Sequence, residues 1–138
     1  MFARILVPVD FSARSLRAAR SAARVGRAGR TRVTLLHVIE KIEDADGRSF
    51  SAFYRRLERA ARDRMQAFVE VFQRHGISVD AVTLYGKPVN EILRLAAESG
   101  SDLIVLSSHK LPLRHGQGWG TVSYKVGILA RCPVLLVK

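Results

Sequence analysis

The chain has 138 residues, 48% hydrophobic and 25% charged, with a formal net charge of +11. This is the size and composition of one globular domain with a single core. No apolar run approaches the ~20 residues of a membrane span, Met1-Phe2-Ala3-Arg4 lacks the grading of a signal peptide, and a single cysteine, Cys132, excludes an internal disulfide, so the expectation is a cytoplasmic protein without membrane insertion.

The run Arg4-Ile5-Leu6-Val7-Pro8-Val9 is apolar and rich in β-branched residues, as in a strand buried on both faces. After Asp10-Phe11, Ser12 is placed to cap a helix over Ala13 to Val25, with Gly26 or Gly29 as its stop. Leu16, Ala19 and Ala23 line one side of that helix, and Arg17, Arg20, Arg24 and Arg27 recur at helical spacing on another. Thr31 to Ile39 predicts a second strand, and the polar stretch Glu40 to Arg48, with Asp46-Gly47, a loop. Phe50 to His75 predicts a long helix. Its core stripe is Tyr54, Leu57, Ala61, Met65, Phe68 and Phe72, and Gly76 is its stop.

Ile77 to Leu84 is the third predicted strand, closed by Gly86. Pro88 suits the first turn of a helix over Val89 to Glu98, ended by Gly100. Leu103 to Leu106 is the fourth strand. Gly120-Thr121 opens a helix running to about Ala130, and Pro133 to Val137 is the last strand. Strands alternating with helices call for a mostly parallel sheet with helices on both faces and right-handed crossovers. Ligands of such sheets sit beyond the carboxyl ends of the strands where the strand order reverses. The residues expected there are Asp10, His37 to Ile39 and Ser107 to Thr121.

The stretch from Asp102 to Thr121 carries the strongest chemical signal. A buried strand runs into a loop, and a hydroxyl residue follows a glycine at a helix start. The helix dipole and its unpaired N–H groups favour an anion there. The loop itself begins Ser107-Ser108-His109-Lys110, without glycine.

Several blocks resemble the universal stress protein family. Ile5-Leu6-Val7-Pro8-Val9-Asp10-Phe11-Ser12 resembles its opening, and Leu35-Leu36-His37-Val38 its second strand. Gly86-Lys87-Pro88, Ile92, Ala96-Ala97 and Asp102 to Leu106 resemble its third helix and fourth strand. Gly120-Thr121-Val122-Ser123 and Cys132-Pro133-Val134-Leu135-Leu136-Val137 resemble its closing elements. The resemblance implies an α/β, Rossmann-like fold of the adenine nucleotide alpha hydrolase type, an open five-stranded parallel sheet ordered 3-2-1-4-5, and a homodimer. It also implies a nucleotide site. Many members bind ATP through a loop patterned Gly-x2-Gly-x9-Gly-[Ser/Thr], and others lack the pattern and do not bind it. Laid on this chain, the pattern falls on Ser107, Lys110 and Gly120-Thr121. The last glycine and the hydroxyl survive. The first two positions carry side chains in the space a triphosphate needs, and lose glycine's freedom at positive φ.

By this resemblance the nucleotide-site residues are Asp10, Val38, Ser107, Lys110, Gly120, Thr121 and Val122, with Val38 contributing backbone. Asp10 has two readings: an acceptor for a ligand, or a cap for the first helix beside Ser12. His37 reads as a hydrogen-bonded, partly buried histidine. Lys110, Arg114 and His115, with Gly116, Gly118 and Gly120, form a loop that either holds an anion or is solvated; Trp119 is placed to pack that loop down. No Ser/His/Asp, Cys/His or paired-carboxylate arrangement is present. A hydroxyl without a base is not a nucleophile, and no Gly-Lys-[Ser/Thr] occurs.

The expected function is that of a non-enzymatic stress-response or regulatory dimer, joined through the C-terminal strand and acting on an unidentified protein partner. The expected cofactor is none, or ATP or AMP in an altered pocket. A nucleic-acid role for the basic helices is the third alternative, weakened by the lack of interleaved aromatic residues and of any reading motif.

Overall fold

The computed structural model describes residues 2–41, 51–108 and 121–138. Among these residues, nine elements follow in chain order: β1 (Arg4–Pro8), α1 (Ala13–Val25), β2 (Arg32–Ile39), α2 (Ser51–Gln73), β3 (Ser78–Tyr85), α3 (Pro88–Glu98), β4 (Leu103–Ser107), α4 (Val122–Leu129) and β5 (Val134–Val137). The strands form one sheet ordered β3-β2-β1-β4-β5. Every pairing is parallel: Arg4 lies beside Arg32, Ile5 beside Leu103, Arg32 beside Ser78, and Ile104 beside Val134.

The alternation of each strand fills two cores. Ile5, Val7, Val33, Leu35, Leu103 and Val105 face α1 and α2, meeting Ala18, Ala22, Met65 and Phe72. Leu6, Leu36, Ile104 and Leu106 face α3 and α4, meeting Ile92, Ala96 and Val126. Successive side chains of a strand point to opposite faces, and on the central strands β1, β2 and β4 both faces are largely buried. This is why the strands read as continuous apolar runs. The alanines of α1 let that helix lie close on the sheet.

Local chemistry sets the element ends. Ser12 caps α1, its Oγ accepting the Ser15 N–H at 3.1 Å, and Gly26 ends the helix. Pro88 occupies the first turn of α3, where its missing N–H costs no hydrogen bond. Gly86 adopts φ +147, and a Cβ there would lie 2.9 Å from the Glu91 side chain; only glycine lets β3 turn this tightly into α3. The Asp102 carboxylate accepts the N–H groups of Ala3 and Arg4 at 2.8 and 3.0 Å, tying the start of β1 to β4.

Several boundaries and surfaces differ from the sequence expectation; β3, for example, runs Ser78–Tyr85 rather than Ile77 to Leu84. β4 runs one residue further, with Ser107 paired to Val137 and the Ser108 N–H donating to the Val137 carbonyl at 2.9 Å; the neighbouring strand β5 extends the ladder. Leu16 is half-buried at the edge of the α1 core face, which is instead made by Ser15, Ala18, Ala19, Ala22 and Ala23. On β5, helices do not cover both faces: Val134 and Val137 pack on the two cores, while Leu135 and Leu136 remain 37% and 40% exposed. An edge strand has no neighbour on one side to shield its side chains. The predicted loop Glu40 to Arg48 lies largely outside the described residues.

Candidate functional site

A cavity of about 400 Å³ opens beyond the carboxyl ends of β1, β2 and β4. β1 lies between β2 and β4, so the crossovers on its two sides run in opposite directions. This is the switch point at which the sheet splays to admit a ligand. Pro8, Val9, Leu36, Val38 and Leu106 line it from the strands, and Pro88, Ile92 and Val122 from α3 and α4. Its polar groups are few: Asp10, Ser15, His37, Ser107, Thr121 and Ser123. An apolar wall with a handful of placed polar groups is the usual make-up of a small-molecule site.

The floor is built by the turn from β1 into α1. Phe11 takes φ 64, a conformation that costs an aromatic residue about 1–3 kcal/mol and is held by its surroundings. Its ring lies 4.3 Å from that of His37 and 5.8 Å from that of Phe68, centroid to centroid. The Asp10 N–H donates to the buried Ser15 hydroxyl oxygen at 2.9 Å. Asp10 Oδ1 in turn accepts the Ser12 N–H at 3.0 Å and the Ser12 hydroxyl at 2.5 Å. The Asp10 carboxylate thus organises the helix start, as the capping reading expects, and the residue also lines the cavity. His37 is partly buried, and its Nδ1–H donates to the Val9 carbonyl at 2.9 Å. That bond leaves Nε2 as the ring's other nitrogen.

The opposite wall is the start of α4. Thr121 is its N-cap, with Oγ1 accepting the Tyr124 N–H at 3.2 Å and lying 3.5 Å from the Ser123 hydroxyl. Ser107 is 9% exposed at the end of β4. Among the described lining residues, Asp10 is the single formal charge with histidine neutral, and no cluster of described residues is arranged to hold a metal ion.

Of the seven residues expected here, the structure brings together Asp10, Val38, Ser107, Thr121 and Val122. Lys110 and Gly120 lie outside the described residues, as do Arg114, His115 and Trp119. Ile39 is buried and does not line the cavity. Ser15, Pro88, Ile92 and Ser123 do so without having been expected. Ser15 had a signal: it stands on the face of α1 otherwise made of alanines, where a hydroxyl needs a partner.

No helix among the described residues is long and apolar enough to cross a membrane. The universal stress protein family model matches residues 1–138. A universal stress protein of Thermus aquaticus, described as lying in the QAH/OAS sulfhydrylase 3' region, is 36% identical over 141 residues that cover all of both chains. Among solved structures, the hypothetical protein MJ0577 is similar with a TM-score of 0.86 and 28% identity, over 100% of this chain and 96% of that one. A universal stress protein in complex with cAMP is similar in fold, with a TM-score of 0.80 and 20% identity over 99% and 97% of the two chains. The five-stranded parallel sheet ordered 3-2-1-4-5 is thus shared with these neighbours, and together with the full-length sequence match it establishes that the chain belongs to the universal stress protein family.

Proposed function

We propose that this protein is a non-enzymatic, cytoplasmic regulatory dimer whose cavity takes an adenine nucleoside monophosphate in preference to ATP. The observation that carries this reading is the open cavity of about 400 Å³ at the sheet's switch point, a size within the ordinary range of small-ligand sites. The cAMP complex of a protein with this fold supports an adenine nucleotide as its occupant. The base would lie against Val38, Ile92 and Leu106, with the Asp10 carboxylate toward the sugar. The phosphate would lie at the α4 N-terminus, where Thr121 and Ser123 and the first N–H groups of the helix favour an anion.

Preference for a monophosphate rests on Ser107 and Lys110. Ser107 sits within the strand, buried and paired to Val137, at the position where a triphosphate loop begins with glycine. A non-catalytic role is supported by the environment of the hydroxyls. The Ser15, Thr121 and Ser123 oxygens are used in or beside helix caps. A nucleophile needs a base within hydrogen-bond reach.

The dimer is supported by exposed apolar side chains at this edge of the sheet. Ile128 and Leu129 of α4 are 61% and 58% exposed, and Leu135 and Leu136 of β5 are 37% and 40% exposed. β5 pairs with β4 on one side only. A two-fold axis beside β5 would pair the outer backbone groups of two copies and cover these side chains.

Calorimetry with AMP, cAMP, ATP and GMP on one preparation tests the ligand. AMP or cAMP binding more tightly than ATP, with GMP weaker, is the expected result. ATP binding more tightly than the monophosphates, or no adenine nucleotide binding at millimolar concentration, refutes it.

A further inference from the structure

A second cleft lies between α1 and α2, on the sheet face opposite α3 and α4, and shares no lining residue with the nucleotide cavity. Its volume is about 400 Å³. Leu16, Ala67 and Val71 supply apolar surface, and Leu16 and Val71 rest on the core beneath. Arg20 and Arg24 rise on the α1 side and Arg74 on the α2 side, all exposed. Glu70 is the one carboxylate lining the cleft, and His75 closes one end with its Nδ1–H donated to the Val71 carbonyl.

Among the described residues, the lining holds three arginines against one carboxylate, Glu70. Among the described residues, the Arg20, Arg24 and Arg74 guanidinium groups enter no ion pair or hydrogen bond. α1 contains Arg14, Arg17, Arg20 and Arg24 and no acidic residue. Like charges three and four residues apart on a helix repel, so the helix carries a standing electrostatic cost that an anionic partner would relieve. The contrast with α3 is direct: there Arg94 sits between Glu91 and Glu98 and pairs with both.

We propose that this cleft docks a short, acidic, amphipathic helix of a partner protein. An apolar stripe on that helix would cover Leu16, Ala67 and Val71, and Asp or Glu on its two flanks would meet Arg20 and Arg24 on one side and Arg74 on the other. Guanidinium groups pair with carboxylates in a planar, two-bond geometry. Leu16 to Arg24 and Ala67 to His75 each span about 12 Å at about 1.5 Å per residue, which is room for about two helical turns. Residues at i, i+3 or i+4, and i+7 of a partner would therefore face the cleft. A nucleic-acid backbone matches the arginines but not the apolar floor, and no Phe, Tyr or Trp side chain lines the cleft for base stacking.

The test is fluorescence anisotropy with a small panel of labelled peptides. Each carries Leu, Ile or Phe at i, i+4 and i+7, flanked by Glu and Asp. The controls are the same peptides scrambled, the same peptides with Gln for every acid, and a labelled DNA duplex. The protein is used unmodified and as Arg20→Glu with Arg24→Glu, and separately as Ala67→Trp. All three sites are exposed, and thermal melts confirm that the variants fold. At least one patterned acidic peptide is expected to bind, and to lose about tenfold or more in affinity on scrambling, on removal of its charge and in either variant. Equal binding of the scrambled peptide would reduce the cleft to a general polyanion attractor and overturn the proposal. Tighter binding of DNA that survives Ala67→Trp would reassign the face to nucleic acid. Absence of binding across the panel would also overturn it.

Discussion

Thr121 caps α4 and lines the cavity, so substitutions there separate stability from phosphate recognition. Thr121→Ala removes the acceptor of the Tyr124 N–H, which costs about 1 kcal/mol for a helix N-cap and lowers the melting temperature of a domain this size by roughly 3–5 °C. It also removes one hydroxyl from the proposed phosphate end, so AMP affinity is expected to fall with stability. Thr121→Asp behaves differently. Aspartate caps at least as well as threonine, and its charge at a helix N-terminus adds about 0.3–1 kcal/mol, so the protein is expected to be no less stable. The same charge opposes a phosphate bound at that terminus. Two unit charges about 6 Å apart at an effective dielectric of about 20 repel by about 3 kcal/mol, which corresponds to roughly a 100-fold loss of AMP affinity. Adenosine, lacking the phosphate, should bind both proteins alike. Differential scanning calorimetry gives the stability arm, and isothermal titration with AMP and adenosine gives the binding arm. Unchanged AMP affinity in Thr121→Asp would refute a phosphate at the start of α4, and an equal loss for adenosine would show that the substitution distorts the cavity instead.

Ser107→Gly with Lys110→Gly restores the two glycines of the ATP-binding pattern and should raise ATP affinity relative to AMP; calorimetry that shows no gain, or a loss, would mean that Lys110 contacts phosphate. Burial first, then the hydrogen bond to Glu58 and the charge of that carboxylate, push the Tyr85 phenol up to about 12. Because that value is raised above the ordinary 10.0, the stability it represents is complete below pH 10 and is lost as pH climbs toward 12. Denaturant unfolding from pH 8 upward should therefore show a steeper alkaline decline than in Tyr85→Phe, and identical slopes would remove the Tyr85–Glu58 contact as its cause. Ile128→Glu alters a side chain 61% exposed in the single chain, so it should leave the melting temperature of a monomer nearly unchanged yet dissociate the dimer in light scattering. A dimer that persists in this variant would place the interface elsewhere, and a wild-type monomer at every micromolar concentration would refute assembly altogether.

Element order and the sheet were legible in the chain because local signals and the global fold agree. Strands buried on both faces are apolar at nearly every position, so Ile5 to Val7, Val33, Leu35 and Leu36, and Leu103 to Leu106 announce themselves. Ser12, Pro88 and the glycines at 26, 76 and 100 mark helix ends through preferences that need no tertiary contact. Asp10, Val38 and Thr121 could be assigned to one cavity because parallel topology gathers the carboxyl ends of strands at the same edge.

Tertiary structure alone decided what depends on approach between distant segments. Ser107 is a strand residue because β5, nearly thirty positions on, extends its ladder. Ser15 and Ser123 enter the cavity through the way α1 and α4 seat on the sheet, which no local spacing encodes. The exposure of Leu135 and Leu136, on a strand that reads as core, follows from its place at the sheet edge. The arginines of α1 were visible in the sequence as a charged helix face. That two of them, Arg20 and Arg24, border an apolar cleft lined by α2 as well follows from α2 packing beside α1, since burial and ion pairing are properties of the assembled surface rather than of the chain.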